Sequence, residues 1–97
     1  SLSGEYTYLE QGQATVTQTG DDIRVHFTWP PAGKGPHYAF KGKLQGDTIT
    51  GEWYSFFHGK GWFRWVAKVM PNGDIEPSQS EDPINARIRQ AILTRKR

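Results

Sequence analysis

Residues 42–69 read GKLQGDTITGEWYSFFHGKGWFRWVAKV and hold three of the four tryptophans and three of the five phenylalanines of the chain. Two apolar runs inside this stretch alternate with period two. Ile49, Gly51 and Trp53 fall in phase within 48–54, and Phe63, Trp65, Ala67 and Val69 within 62–70. Gly46-Asp47 precedes the first run, and SFFHGKG (55–61) separates the two. Successive side chains of a strand project to opposite faces, so each run has one face for a core and one for solvent. That is the pattern of neighbouring antiparallel strands in an all-β domain. Gly51, between two large residues, predicts a bulge, a sharp coil of the sheet or a close approach by a neighbouring tryptophan.

The same reading extends outward. Upstream, strands are predicted over 4–9 (Tyr6 and Tyr8 on one face), 13–19, 22–29 and 37–44. In 22–29, Ile23, Val25, Phe27 and Trp29 face one way and Arg24, His26 and Thr28 the other. Thr15, Thr17 and Thr19 suit a solvated sheet face, because the β-branched side chain prefers the pleated backbone. The segment PPAGKGP (30–36) cannot continue a sheet: three prolines lack the N–H, and it reads as a loop with one lysine at its tip. Downstream, PNGD (71–74) is a hairpin signal, and Ile75 opens a short strand that Pro77 is expected to end. Gly-Asp recurs immediately before an isoleucine-led strand in TGDDI (19–23), QGDTI (45–49) and NGDI (72–75). Glycine supplies the unusual φ and aspartate bonds the reversing backbone. Because nearly every connection is short, an up-and-down meander of six to seven strands is expected over a Greek key, as a small barrel or strongly coiled sheet spanning 1–76.

PSQSED (77–82) reads as a polar linker. Asp82-Pro83 is a helix start, with Asp as N-cap and Pro at the first position. Ile84, Ile88, Ala91 and Ile92 then share one stripe, predicting a C-terminal amphipathic α-helix over 83–95 that packs on the same domain.

Composition narrows the classes. Ninety-seven residues make one domain, and the 13% aromatic content supplies much of its core. With no cysteine, disulfides and thiolate metal sites are excluded. No apolar run is long enough for a membrane span and no signal peptide is visible; the chain opens on Ser1, as a processed, tagged or excised form would. Location is therefore open between cytoplasm and export. Residues 83–97 hold five basic and no acidic side chains, and residues 1–82 seven basic and ten acidic, so the basic balance belongs to the tail.

The unit GDTITGEWY (46–54), preceded by GKL and followed by an aromatic strand, resembles the hairpins of lipocalin-like and avidin-like small barrels. The likeness extends over 4–76 and is best over 42–69. It implies a barrel or strongly coiled sheet with a mouth, and it carries over no ligand. Two features depart from those families: they use eight strands, and Gly4-Glu5-Tyr6 stands where lipocalins have Gly-x-Trp.

Catalytic chemistry finds no support. His26, His37 and His58 are scattered without metal-ligand spacing, the serines lie in no nucleophile motif, and Glu52 has no second carboxylate at a readable spacing. No metal or other cofactor is called for. Binding is the stronger reading, centred on Phe56, Phe57, His58, Lys60 and Trp62, with Arg64 beside them. Two adjacent phenylalanines cannot share one sheet face, so either the loop plugs the barrel end or it offers a platform to a protein, glycan or small-molecule partner. The alternative is single-stranded nucleic acid or another anion on a basic-aromatic sheet face formed by Arg24, Lys41, Lys43, Arg64 and Lys68 with His26 and Trp62. Its bland counterpart is basic stems covering an outer sheet surface. Arg95, Lys96 and Arg97 form either a docking tail or a solvated helix end favoured by the helix dipole; in the docking case, removing 94–97 leaves the melting temperature nearly unchanged.

Overall fold

The computed structural model describes residues 1–10, 12–28, 38–55, 62–80 and 91–96, with backbone alone at 28, 38, 54, 55, 62 and 80. Among the described residues there are eight strands: β1 Gly4–Tyr8, β2 Gly12–Thr19, β3 Asp22–Thr28, β4 Tyr38–Gln45, β5 Thr48–Ser55, β6 Trp62–Val69, β7 Ile75–Ser80 and β8 Thr94–Arg95. They form one antiparallel sheet in the order β7-β6-β5-β4-β3-β2-β1-β8. From β1 to β7 every strand pairs with its neighbour in sequence, the up-and-down meander that the short connections imply. An antiparallel bridge between Ile75 and Leu93 then brings the chain leading into β8 against β7, and the sheet curls into a nearly closed barrel.

Alternation places the core on the barrel axis. Tyr6, Tyr8, Val16, Ile23, Val25, Phe27, Phe40, Ile49, Trp53, Trp65 and Ile75 are all buried. Tyr8 meets Phe27 edge-on, with centroids 5.6 Å apart, and Phe40 meets Trp65 at 4.6 Å. Offset and edge-on pairs of this kind add roughly 0.5–1.5 kcal/mol to the burial of the rings. Gly51 explains how two such rings fit. It lies in register with Gly42 on one side and Trp65 on the other. A Cβ on Gly51 would strike the Lys41 carbonyl oxygen and stand 2.5 Å from the Gly42 Cα. Of the three expectations for Gly51, the close approach holds, but the approaching group is the β4 backbone. The bare Gly42–Gly51 pair lets the β4 and β5 backbones approach closely while Phe40 and Trp65 meet on the inside.

Two expectations need correction. The helix over 83–95 is absent where the structure describes that stretch: β8 lies in it, and Ala91 and Leu93 are buried while Ile92 is exposed. The strand count is accordingly eight, above the expected six to seven. The apolar run fits either period, and the decisive factor lies elsewhere in the fold. A seven-stranded meander leaves the β1 and β7 edges with unpaired N–H and C=O groups, and residues 93–96 satisfy them. Residues 83–90 lie outside the described residues.

The second correction concerns Pro77, which does not end β7. The Ile75 N–H and C=O both bond Leu93, so alternation turns the Pro77 nitrogen toward the seam, where a missing N–H removes no bond to β6. The register shifts at this point: Ala67 pairs with Pro77 but Val66 with Gln79. Ser78 is the extra residue of the bulge, and its hydroxyl donates to the Val66 carbonyl at 3.1 Å. Pro77 also leaves no N–H to extend the ladder beyond the Ile75–Leu93 bridge.

Candidate functional site

The meander places its three longest connections at one end. At one end of the barrel, tight turns join β2 to β3, β4 to β5 and β6 to β7. These are the Gly-Asp repeats, with Gly20 at φ 60, Gly46 at φ 63 and Gly73 at φ 92. Each aspartate also braces the following hairpin. The Asp21 carbonyl accepts from Leu44 N at 2.8 Å and the Asp47 carbonyl from Val69 N at 2.7 Å. In the third copy the side chain takes over, and Asp74 Oδ1 accepts from Arg95 N at 3.0 Å. The strand ends joined by residues 9–11, 29–37, 56–61 and 81–90 all lie at the opposite end.

Register builds a second feature on the outer wall. Arg24 pairs with Lys41, Lys41 with Glu52, and Glu52 with Arg64, one row across four strands. At about 4.8 Å per strand, Arg24 and Arg64 stand roughly 14 Å apart. Arg24 and Arg64 are exposed. Nearer the tight-turn end the cations have acidic partners: Lys43 Nζ lies 2.6 Å from Asp22, and Lys68 Nζ lies 3.8 Å from Asp47. The Lys43 hydrogen bond, and then its charge, hold the Asp22 carboxyl below its ordinary range; the same contact raises Lys43. Among the described residues of 22–69, Arg24, Lys41, Lys43, Arg64 and Lys68 stand against Asp22, Asp47 and Glu52, five basic to three acidic. The negative balance of residues 1–82 therefore does not describe the β3–β6 wall, which is positive.

The sequence-predicted site divides accordingly. Arg64 stands exposed on the outer wall opposite Glu52. The Trp62 backbone opens β6 in register with Tyr54. Phe56, Phe57, His58, Lys60 and Arg97 lie outside the described residues, so the platform-or-plug alternative for the loop does too. Arg95 and Lys96 belong to the barrel closure. The Arg95 guanidinium donates to the Ser1 carbonyl at 3.1 Å and the Ser3 carbonyl at 2.9 Å and lies 5.6 Å from the Tyr6 ring centroid. Lys96 N donates to the Glu5 carbonyl at 2.9 Å. Sequence reasoning missed this clasp; the only signal for it was the alternation of Ala91, Leu93 and Arg95.

Two open clefts, of about 450 and 330 Å³, flank Met70-Pro71 at the tight-turn end. Ile92, 48% exposed, lines the smaller. Among the described residues no three of His, Cys, Asp and Glu gather to hold a metal, and no helix is long and apolar enough to cross a membrane. Comparison of the chain with protein families, with curated proteins and with solved structures finds no match.

Proposed function

We propose that this barrel is a non-enzymatic binding module that takes a protein, glycan or small-molecule partner at the end carrying the long connections. The observation that carries the reading is the segregation of connections: three tight, mutually braced turns close one end, and the strand ends joined by the three longest connections lie at the other. Binding residues concentrate on loops held by a rigid scaffold. Phe56, Phe57, His58, Lys60 and Trp62 enter that end from one connection, with Arg64 two residues along β6. The use is that of a lipocalin-like or avidin-like barrel with the ligand moved to the mouth, because aromatic side chains fill the axis. Titration of ¹⁵N-labelled protein with a panel of neutral oligosaccharides tests it. Perturbed amides at 55–64 and at the facing ends of β3 and β4 support the reading, and their loss in Phe57→Ala and Trp62→Ala assigns the residues. Perturbations confined to the Gly20, Gly46 and Gly73 turns refute it.

A second reading is favoured by the cation row: single-stranded nucleic acid lying across β3–β6. Binding of a labelled oligonucleotide weakens with added salt in proportion to the phosphates neutralised. Arg24→Ala with Arg64→Ala lowers that slope by roughly two on this reading, at about one per lost contact. Salt-insensitive binding, or none, removes it.

A further inference from the structure

The barrel seam is closed by one short stretch of chain. Leu93 exchanges two backbone bonds with Ile75, at 2.8 and 2.9 Å. Thr94 and Arg95 pair with Thr7 and Tyr6, Lys96 N bonds Glu5, and Arg95 reaches Asp74, Ser1 and Ser3. Leu93 is 1% exposed and Ala91 8%. Residues 91–96 thus act as a compact ligand for a strand-shaped slot. They supply a small residue, a leucine anchor, strand hydrogen bonds on both sides and a cationic clasp. These contacts fall on the first residues of the chain and on the start of β7, and none of them depends on which chain supplies the strand.

Ser80 ends β7 and residues 81–90 precede Ala91, ten residues where an ordinary hairpin between adjacent strands takes two to five. Fully extended, ten residues span roughly 33–36 Å. That matches the longest dimension of the molecule, 31 Å, so the link is long enough to carry 91–96 to the seam of a neighbouring copy. Pro77 works in the same direction. It offers no N–H to extend the Ile75–Leu93 bridge, so the β7 side of the seam gains no ladder bond from that residue.

We propose that residues 91–96 are an exchangeable strand, and that a second copy of the chain donates its own 91–96 to close the seam reciprocally. Exchange preserves every contact named above, so concentration sets the balance. Tethering through this ten-residue link holds the strand at an effective concentration near the millimolar range, which keeps the closed monomer dominant at micromolar protein.

The absence of cysteine makes the test direct. Thr7→Cys and Thr94→Cys, on register partners, are prepared as separate chains, unfolded in urea, mixed, refolded at about 10 μM and about 1 mM, and oxidised; the span brackets the effective concentration of the link. Thr50→Cys with Thr94→Cys is the control, because Thr50 lies on β5. The expected result is a mixed disulfide dimer joining one Thr7→Cys chain to one Thr94→Cys chain, identified by mass, that rises about tenfold or more over the control pair at the higher concentration. Equal yields for the two pairs overturn the proposal. So does failure of the Thr7→Cys/Thr94→Cys double variant to form its internal disulfide at low concentration, because the seam register would then be wrong.

Discussion

Gly51→Ala is the sharpest probe of the barrel wall. The added methyl meets the Lys41 carbonyl and the Gly42 Cα, both backbone, so no side-chain rotation relieves it. β4 and β5 must part at the Gly42–Gly51 pair, loosening the ladder and the Phe40–Trp65 contact at 4.6 Å. Overpacking costs about 1–3 kcal/mol, and a disrupted ladder bond adds about 1, for a total of about 2–4. A domain of this size loses about 4–8 °C of Tm per kcal/mol, so the fall is about 8–32 °C. Gly46→Ala is the matched control: nothing lies within 4 Å of its Cβ, but φ is +63, and the left-handed backbone alone costs about 1–2 kcal/mol. Thermal and urea unfolding, followed by far-UV and near-UV circular dichroism, compare the two. If Gly51→Ala is no more destabilised than Gly46→Ala, or keeps an unchanged tryptophan near-UV signal, the steric account of the glycine pair is refuted.

Leu93→Ala empties a buried site in the seam and is expected to cost about 2–5 kcal/mol in urea unfolding, against near-neutrality if the C-terminal segment only decorates the barrel. Removing 94–97 deletes the Arg95 and Lys96 bonds and should lower stability by about 2 kcal/mol or more, where a free docking tail predicts no change in Tm. Glu10, held at φ 67, should tolerate glycine with a net gain of about 0.5–1 kcal/mol, read as a raised urea midpoint. Because Lys43 lowers the Asp22 carboxyl, that contact contributes stability above the unfolded-state carboxylate value and loses it as pH falls through the depressed folded value. Lys43, raised by the same partner, contributes below its unfolded value and loses its share as pH rises through the raised one. Asp22→Asn should flatten the acid limb of a midpoint-versus-pH curve at low salt; an unchanged limb counts against the pair.

Much of the wall was legible because period two is a local signal. Ile23, Val25 and Phe27 declare their face within three alternate positions, and Gly-Asp marks each turn by the φ it needs. The eighth strand was not legible, because its reason is non-local. Ile84, Ile88 and Ala91 fit a helical stripe, whereas residues 93–96 are drawn into the barrel by two edges, Ile75 on β7 and residues 5–7 on β1, the second nearly a whole chain away. Pro77 misled in the same way: a proline ends a central strand, but at a seam its missing N–H goes unnoticed. At the site, the aromatic cluster of 55–62 was visible by composition. The basic face of Arg24, Lys41, Lys43, Arg64 and Lys68 was legible from alternation, but its charge was discounted by averaging over 1–82; register adds that Arg24, Lys41, Glu52 and Arg64 form one row.

The seam also sets the order in which this fold is acquired. Each hairpin from β1 to β7 joins sequence neighbours and can zip locally, but the closing bonds link residues 87, 92 and 94 positions apart. Such contacts carry the largest loop-closure entropy and form late. Substitutions at Leu93 or Arg95 should therefore accelerate unfolding and leave the folding limb of the chevron nearly untouched, while those at Gly51 should slow folding itself. A nascent chain lacking its last few residues presents both barrel edges, β1 and β7, bare to solvent. Until closure, the blunting of β7 by Pro77 is its protection against edge-to-edge association.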